Sequence, residues 1–483
     1  MGTGDSERFD VAIVGARLAG SAIAAPLARA GRNVLVIDRM AFPSDQLSTH
    51  VLMPAGTSEL AQIGALPGIL ALNPSRVRNV QVGVDGVLCA ERLRPAADGI
   101  DFGVCVPRDL QDLELVRAIR AQGAEVRERC AVSALRWDAG RVTGLSYRDA
   151  EGVQREVQAS LVVGADGRRS TVSALLGVER PYRLSRNGRG LVFRYLEDPH
   201  PEQTENCTYQ QWRDGNSIAF AFPCTPAGRL LVLLMGDREE TALARHDPEG
   251  YWRAKLSEHP ELARRVAGAP PGSKLRSTAD TPAFFRSSSG PGWALAGDAG
   301  HFKDPVTGQG MRDAMFAGRT LAEAILPSLD DPAALDAATR GWEAERDREC
   351  LPAYHLANAD TRAIRQSPIL REIVRDASRT PDPDLGDLFG RARTPAEVTP
   401  PARLIRATVA ALLRGERPRG ETLASAFTDG RVALRVEREA RAGRFRASRP
   451  VAGSEHPGGV WPPVRAEPSI APETPVPAGA ASA

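Results

Sequence analysis

Three short stretches of this 483-residue chain hold residues whose types and spacing could do chemistry. The first is Gly15-Ala16-Arg17-Leu18-Ala19-Gly20, which lies between an apolar run at 11–14 and an alanine-rich stretch at 21–30. A second apolar run at 34–37 ends in Asp38, twenty-three residues after Gly15. Strand, glycine turn, helix, strand and acid in this order form a βαβ unit. Such a unit seats a dinucleotide pyrophosphate on a helix N-terminus and places a carboxylate on ribose hydroxyls. Gly15 permits the sharp turn, and Gly20 lets helix and strand touch. The middle glycine of the pattern is replaced by Arg17, whose side chain must either turn outward or pair with a phosphate. Taken alone, the stretch also fits an ordinary βαβ unit with a glycine turn. Pro26 removes a helix N–H, which predicts a kink or an early end to the helix.

The second stretch runs from an apolar strand into Gly164-Ala165-Asp166-Gly167, with helix-compatible residues at 169–176. By itself it reads as a strand-to-helix turn. The third stretch is more specific. A strand at 292–296 delivers Gly297-Asp298-Ala299-Gly300-His301, and Lys303-Asp304-Pro305 and Gly308-Gln309-Gly310 follow. A helix then starts near Gly310, with Met311 in its first turn, and runs to Ile325. A carboxylate at a strand end can hold a ribityl or ribose hydroxyl. Pro305 gives a rigid wall without an N–H. Gly308 and Gly310 let backbone approach a flat ring. The helix aims its positive end at that ring, where a reduced isoalloxazine carries negative charge.

The elements that must position these stretches alternate in character. Val80, Val82 and Val84 alternate with polar residues before Asp85-Gly86 and Val87, which predicts a hairpin with a two-residue turn. Arg108 opens a helix reaching to about Gln122, with Leu110, Leu113, Val116 and Ile119 as its apolar stripe. Residues 190–236 read as antiparallel sheet, in which Phe193 and Tyr195 share one strand face and Ile218, Phe220 and Phe222 share another. Residues 251–266 read as one helix. Residues 331–440 read as mostly helical, with breaks at Pro352, 381–383 and 400–401.

Composition excludes several classes. The net charge of +2 gives no field favouring nucleic acid or membrane, and with only three lysines the positive charge is nearly all arginine. The six cysteines have no metal-knuckle or redox-pair spacing, which suits buried thiols in a reducing compartment and predicts no metal. No apolar run approaches the ~20 residues of a membrane span, and Asp5 and Glu7 stand where a signal peptide would be apolar. A cytoplasmic protein is the expectation. The tail from about 448 is rich in Pro, Gly, Ala and Ser, and its composition predicts disorder.

The order of the three stretches resembles the FAD-dependent monooxygenases of the para-hydroxybenzoate hydroxylase type, the class A flavoprotein monooxygenases, over about residues 9–330. Wider relatives with that FAD fold include flavin-dependent halogenases and geranylgeranyl reductases. The implied fold class is α/β: an FAD-binding βαβ (Rossmann-like) domain interleaved with a mostly antiparallel β-sheet substrate domain, plus C-terminal helices. The FAD-binding part would comprise 1–75, 107–178 and 281–330; the sheet 76–106 and 179–280; the helices 331–447; the tail 448–483. The resemblance implies FAD held by Gly15, Ala16, Arg17, Gly20, Asp38 and Arg39 at its ADP end. Arg108 and Asp166 would lie beside it, and Gly297, Asp298, Pro305, Gly308, Gln309, Gly310 and Met311 at the flavin.

The resemblance further implies a cycle in which NADH or NADPH reduces FAD. Oxygen adds at flavin C4a as a hydroperoxide, and its distal oxygen passes to an aromatic or polycyclic small molecule. His50, His301 and Pro305 are the candidate catalytic residues, and Phe193, Trp212, Phe220 and Phe222 the candidate substrate contacts. Core packing is the plain alternative for the aromatic residues, a structural role for His50, and a solvated charge for Lys303. The rival activities are a reductase of the geranylgeranyl-reductase type, a halogenase and a non-catalytic FAD-fold binding protein. A monomer or homodimer that takes O2 and a small molecule, and no nucleic acid, is expected.

Overall fold

The computed structural model describes residues 7–48 and 50–442; the tail expected at 448–483 lies outside the described residues. Within them the chain builds two large sheets and a helical C-terminal region. The centre of the first sheet is parallel. Glu7–Val14 lies between Val34–Ile37 and Gln154–Gly164, with Glu125–Arg127 beyond the former and Trp293–Leu295 beyond the latter. At its centre, residues 11–14, 34–37 and 161–163, the strands are continuous buried apolar runs, as parallel strands covered on both faces require. The antiparallel strands Ala131–Asp138 and Arg141–Arg148 extend it on Gln154–Gly164.

This register brings the glycine turn, the Asp166 turn and the Gly297 turn to one sheet end. Val14 pairs with Gly164, and the Ala165 N–H donates to Val14 O at 2.8 Å. Gly164 pairs with Leu295, and the Ala296 N–H donates to Gly164 O at 2.8 Å. All three strands therefore terminate together, which is where open parallel sheets place ligands.

Helix Leu18–Arg29 packs against helix Gly310–Ile325 through residues with almost no side chain. A Cβ on Gly318 would come within 2.5 Å of Ala19 O, and one on Gly297 within 2.7 Å of Ala19 Cβ. Ala19, Ala22, Gly297, Ala314 and Gly318 thus form a backbone-to-backbone contact. Pro26 does not end the first helix early; it continues to Arg29. Pro26 falls in its last turn, so only one intrahelical bond is lost while Ala22 to Leu27 stay sealed apart from the proline itself.

The second sheet is antiparallel except where Cys207–Asp214 runs parallel to Arg76–Val84. The strand Val51–Leu52 joins it from the N-terminal segment, through Gly103–Cys105. The hairpin at Asp85-Gly86 forms with both residues at positive φ, +43° and +81°. Two sequence expectations need correction. Residues 251–266 form two helices, Pro248–Ser257 and Pro260–Arg265, because Pro260 starts the second. Pro352 does not break the chain: Pro332–Asp360 is a single helix. Cys350, Leu351, Ala353 and Tyr354 around it are all buried, and their packing offsets the ~3 kcal/mol that an interior proline costs.

Gly318→Ala should lower unfolding free energy by about 1–3 kcal/mol, the usual cost of overpacking a close contact. Urea unfolding followed by circular dichroism measures it. Unchanged stability would mean that the two helices can separate freely.

Candidate functional site

The groove at the strand ends begins with the glycine turn. Gly15 has φ +107°, and its α-carbon faces Ala165 and Asp166 so closely that a Cβ would overlap the Ala165 carbonyl. A Cβ on Gly20 would overlap the Gly15 carbonyl. Helix Leu18–Arg29 begins with no side-chain cap and no acid in its first turn. Its first intrahelical bond runs from the Ser21 N–H to Arg17 O, so the preceding N–H groups open outward. Asp38 is buried at the end of its strand and braces the turn: Oδ2 accepts the Ala16 N–H at 2.9 Å and Oδ1 the Met40 N–H at 2.8 Å. Arg39 beside it is exposed.

Arg17 does not turn outward. It forms an ion pair with Asp112, donates to Ser44 Oγ at 2.7 Å and to Ser44 O at 3.2 Å, and lies over the Phe42 ring. Arg108 grips the same carboxylate bidentately, with both bonds at 2.9 Å. Two guanidiniums thus share one fully buried carboxylate, which leaves one positive charge in excess near an uncapped helix start. That arrangement suits an anion. Asp112 was not singled out from sequence, although its place four residues after Arg108 on one helix face was a usable signal.

Asp166 accepts the Val172 N–H at 3.2 Å through Oδ2, while its buried Oδ1 has no partner among the described residues. Burial raises its pKa. Asp298 sits half-buried in the turn Gly297–Ala299 and makes no hydrogen bond through its carboxylate among the described residues. Burial raises its pKa to about 6, against the opposing pull of Arg168, Arg108, Lys303 and Arg286.

After the turn Pro305–Thr307, Gly308 takes φ +65°. Among the described residues, a Cβ there would meet only Val51 Cγ1, at 3.9 Å, and one on Gly310 would meet nothing within 4 Å. Both glycines therefore border open space, unlike those at the helix crossing. Helix Gly310–Ile325 starts without a side-chain cap. Met311, in its first turn, receives the Ser48 hydroxyl at 3.3 Å. Gln309 Nε2 donates to Leu388 O at 2.8 Å, and its Oε1 is buried without a partner among the described residues. The C-terminal region thus reaches this loop, which the sequence did not suggest. Asp304 Oδ2 likewise accepts the Thr361 hydroxyl at 2.6 Å, and Arg391 reaches Asp313 at 2.8 Å.

The two histidines stand differently. His50 has φ +61°, is fully buried, and has no partner on either ring nitrogen among the described residues. Its ring stacks on Tyr195 at 5.9 Å and meets Phe193 edge-on at 6.3 Å. Burial, and then Arg108 and Arg276, lower its pKa to about 3, so it is neutral at pH 7. His301 faces away from the sheet aromatics: its Nδ1 lies 3.1 Å from Phe284 O and its ring stacks on Phe285 at 4.1 Å. Lys303 beside it is not a solvated charge. It is buried and paired with Asp313, and it lines a cavity of about 10 Å³ with Asp298, His301 and Arg346; that is room for about one water. His301, Asp313 and Cys350 approach one another there, but Arg312 and Arg391 also pair with Asp313, so a metal cation would be repelled.

Phe193, Phe220 and Phe222 lie in the buried cluster that includes Val306 of the glycine loop, as do Tyr195 and Tyr209. Trp212 corrects an expectation. Alternation turns it to the other face, where it packs with Trp252 and Leu262 and donates to Glu261 at 3.1 Å. Its neighbour Gln211 takes the inner position instead. Phe193, Leu233, Phe220, Gln211 and Val82 form one row across the strands. Gln211 is buried, and neither its amide nitrogen nor its oxygen has a partner among the described residues. Asp214, His259 and Ser217 also line up, at 2.8 and 2.9 Å, but His259 and Ser217 are sealed from solvent and tie a hairpin to a helix.

A family profile described as FAD binding domain matches residues 8–340. The chain belongs to the FAD-binding-domain family. Its relatives divide by activity. It is 27% identical to the menaquinone reductase of Mycolicibacterium smegmatis over 336 residues, covering 65% of this chain and 76% of that protein. It is 29% identical to the 12-dehydrotetracycline 5-monooxygenase/anhydrotetracycline 6-monooxygenase of Streptomyces rimosus over 398 residues, 78% of this chain and 74% of that protein. The solved flavoprotein/dehydrogenase of Cytophaga hutchinsonii shares the fold at TM-score 0.67 and 18% identity, covering 84% of this chain and 100% of that one. A myxobacterial chondrochloren halogenase does so at TM-score 0.64 and 22% identity, with 86% and 99% coverage. The mixed α/β architecture is thus that of FAD-binding-domain oxidoreductases, and FAD is the cofactor this family binds. No helix among the described residues is long and apolar enough to cross a membrane.

The free Asp298 carboxylate, the uncapped helix starts and the open space at Gly308 and Gly310 fit FAD. If the Asp298 carboxylate accepts a flavin hydroxyl, affinity is full well above pH 6 and falls as pH drops through about 6. FAD titration by fluorescence quenching between pH 5 and 8 should show this fall. Asp298→Asn should flatten the profile and Asp298→Ala should weaken retention at every pH; a wild-type profile already flat would remove Asp298 from the cofactor site.

Proposed function

We propose that this chain is an FAD-dependent monooxygenase that uses NADH or NADPH and O2 on an aromatic or polycyclic small molecule. The observation that carries the reading is the aromatic sheet face of Phe193, Tyr195, Phe220 and Phe222, packed beside Val306 of the glycine loop, with two unpartnered polar side chains, His50 and Gln211, in that setting. Apolar walls with a few placed polar groups are what a small-molecule site needs. The tetracycline-oxidising relative aligns over 78% of this chain, which supports a polycyclic substrate.

The chain's residues take distinct tasks. The ADP end of FAD would lie on Gly15, Ala16, Arg17 and Gly20, with Arg17 and Arg108 supplying the positive charge. Asp38, Arg39 and Asp166 would border that end. Asp298 would accept a ribityl hydroxyl. Gly297, Pro305, Gly308, Gln309, Gly310 and Met311 would form the wall against the flavin ring. Bound FAD supplies electron transfer and oxygen activation. His50, neutral and held at positive φ, can donate one hydrogen bond and accept another at the ligand. Gln211 can do the same through its amide. His301, with Nδ1 at Phe284 O and its ring on Phe285, would brace the strand beside Lys303 and not touch substrate.

The menaquinone reductase of Mycolicibacterium smegmatis favours a second reading, a flavin reductase without oxygenation. Purified protein should be yellow, and NADH or NADPH should bleach it without oxygen. Substrate-stimulated oxygen uptake separates the readings: bleaching without it indicates a reductase, and failure to bind FAD overturns both.

Gln211→Leu replaces a buried unpaired amide with an apolar group of similar size. Such a change is neutral or stabilising for the fold. Tm should therefore hold or rise while substrate-stimulated turnover falls at least about tenfold, equivalent to ~1.4 kcal/mol. Unchanged turnover would leave Gln211 a structural residue.

A further inference from the structure

The last two described helices expose what the rest of the molecule hides. On helix Pro401–Arg414, Ile405, Val409 and Leu413 are 64%, 50% and 83% exposed at spacings of four. Leu423, Phe427 and Leu434 on helix Arg419–Ala442 are 54–67% exposed. Small residues do the inward packing on the first helix, where Ala407 and Ala411 are buried. Both helices rest on each other and on Pro368–Ala377. Leu404 packs inward on the core, but these six large apolar side chains are turned away from it, more than a surface helix ordinarily exposes. Patches of this kind mark an interaction surface.

Charge selects the occupant. Residues 401–450 hold twelve arginines and five acids, and no lysine, in a chain whose total charge is only +2; Arg403, Arg414 and Arg417 are used in pairs with Asp384, Glu372 and Asp85, while Arg406, Arg419, Arg431, Arg435 and Arg438 are exposed. Arg406 is exposed beside Ile405, and Arg431 lies over the Phe427 ring at 5.4 Å. Neither has a carboxylate partner among the described residues. Arg435, also exposed, pairs only with Glu439 on its own helix. A second copy would bring a surface rich in arginine against itself. An anionic lipid surface matches both features: apolar side chains enter the acyl boundary while arginines reach the headgroups.

We infer that helices Pro401–Arg414 and Arg419–Ala442 form a docking face for an anionic membrane surface, on which the protein lies without spanning it. Both helices adjoin Pro368–Ala377, which covers the Arg76–Val84 and Val87–Arg92 strands of the aromatic sheet. A docked molecule would therefore hold its sheet domain close to the lipid.

The test is co-sedimentation of the full-length, flavin-loaded protein with vesicles of phosphatidylcholine alone or of phosphatidylcholine with roughly 30 mol% phosphatidylglycerol, whose negative surface potential attracts basic segments. Binding should be at least about tenfold stronger to the anionic vesicles and should fall in 0.5 M salt, where the Debye length is less than about half its ~10 Å value at 0.1 M. The triple variant Ile405→Glu, Leu413→Glu, Phe427→Glu should lose vesicle binding while keeping flavin content and circular dichroism. Arg406→Glu with Arg431→Glu, which leaves the apolar stripe intact, should lose the preference for anionic vesicles. Absence of binding to anionic vesicles overturns the inference. So does a wild-type dimer that the triple variant converts to monomer, since the face would then belong to a second copy.

Discussion

The close crossing of helices Leu18–Arg29 and Gly310–Ile325 is the constraint on which the site depends. Where Ala19 and Ala22 meet Gly297, Ala314 and Gly318, backbone lies against backbone. Larger side chains would hold the two helix starts apart. The crossing fixes two uncapped helix N-termini in one groove, one beside the glycine turn and the other beside the loop at Pro305. Parallel strand pairing fixes the Asp166 turn between them. Residues separated by almost three hundred positions in sequence are thereby brought to one end of the sheet.

Electrostatics divides this groove into two ends. At the glycine turn, one buried carboxylate is shared by Arg17 and Arg108, so an anion finds an excess of positive charge. At the other end Asp298 is held half-buried without a hydrogen-bonding partner, and burial raises its pKa despite four cationic neighbours. Arg108 influences both His50 and Asp298, which places the aromatic sheet and the cofactor groove within reach of one guanidinium. The Lys303–Asp313 pair plays another part. Asp313 is shared by Lys303, Arg312 and Arg391, and through Arg391 it anchors the loop to the C-terminal region.

That region is more than an appendage. Thr361 closes on Asp304, Leu388 on Gln309, and the Phe389 ring lies tilted against Tyr209 at 5.6 Å. These contacts make the C-terminal helices part of the wall around the loop and the aromatic sheet. Their outer face is exposed apolar residues and arginine.

The sequence by itself determined the local parts. Strand and helix periods, the Asp85-Gly86 turn and the glycines of the three stretches all follow from steric and hydrogen-bonding rules that act within a few residues. Helix Gly310–Ile325 took the ends its pattern predicted. The inward faces of Phe193, Phe220 and Phe222 followed from alternation, but which face of its strand is inward was not readable for Trp212. Only the sheet order decides that. Tertiary structure also decided Arg17, because Asp112 lies ninety-five residues away, and His50, whose isolation shows only once Tyr195 and Phe193 enclose it. It overruled Pro352, where packing on both sides outweighs a lost hydrogen bond. Short-range chemistry is written in neighbouring residues, whereas burial, pairing and charge balance depend on partners that only the folded chain brings together.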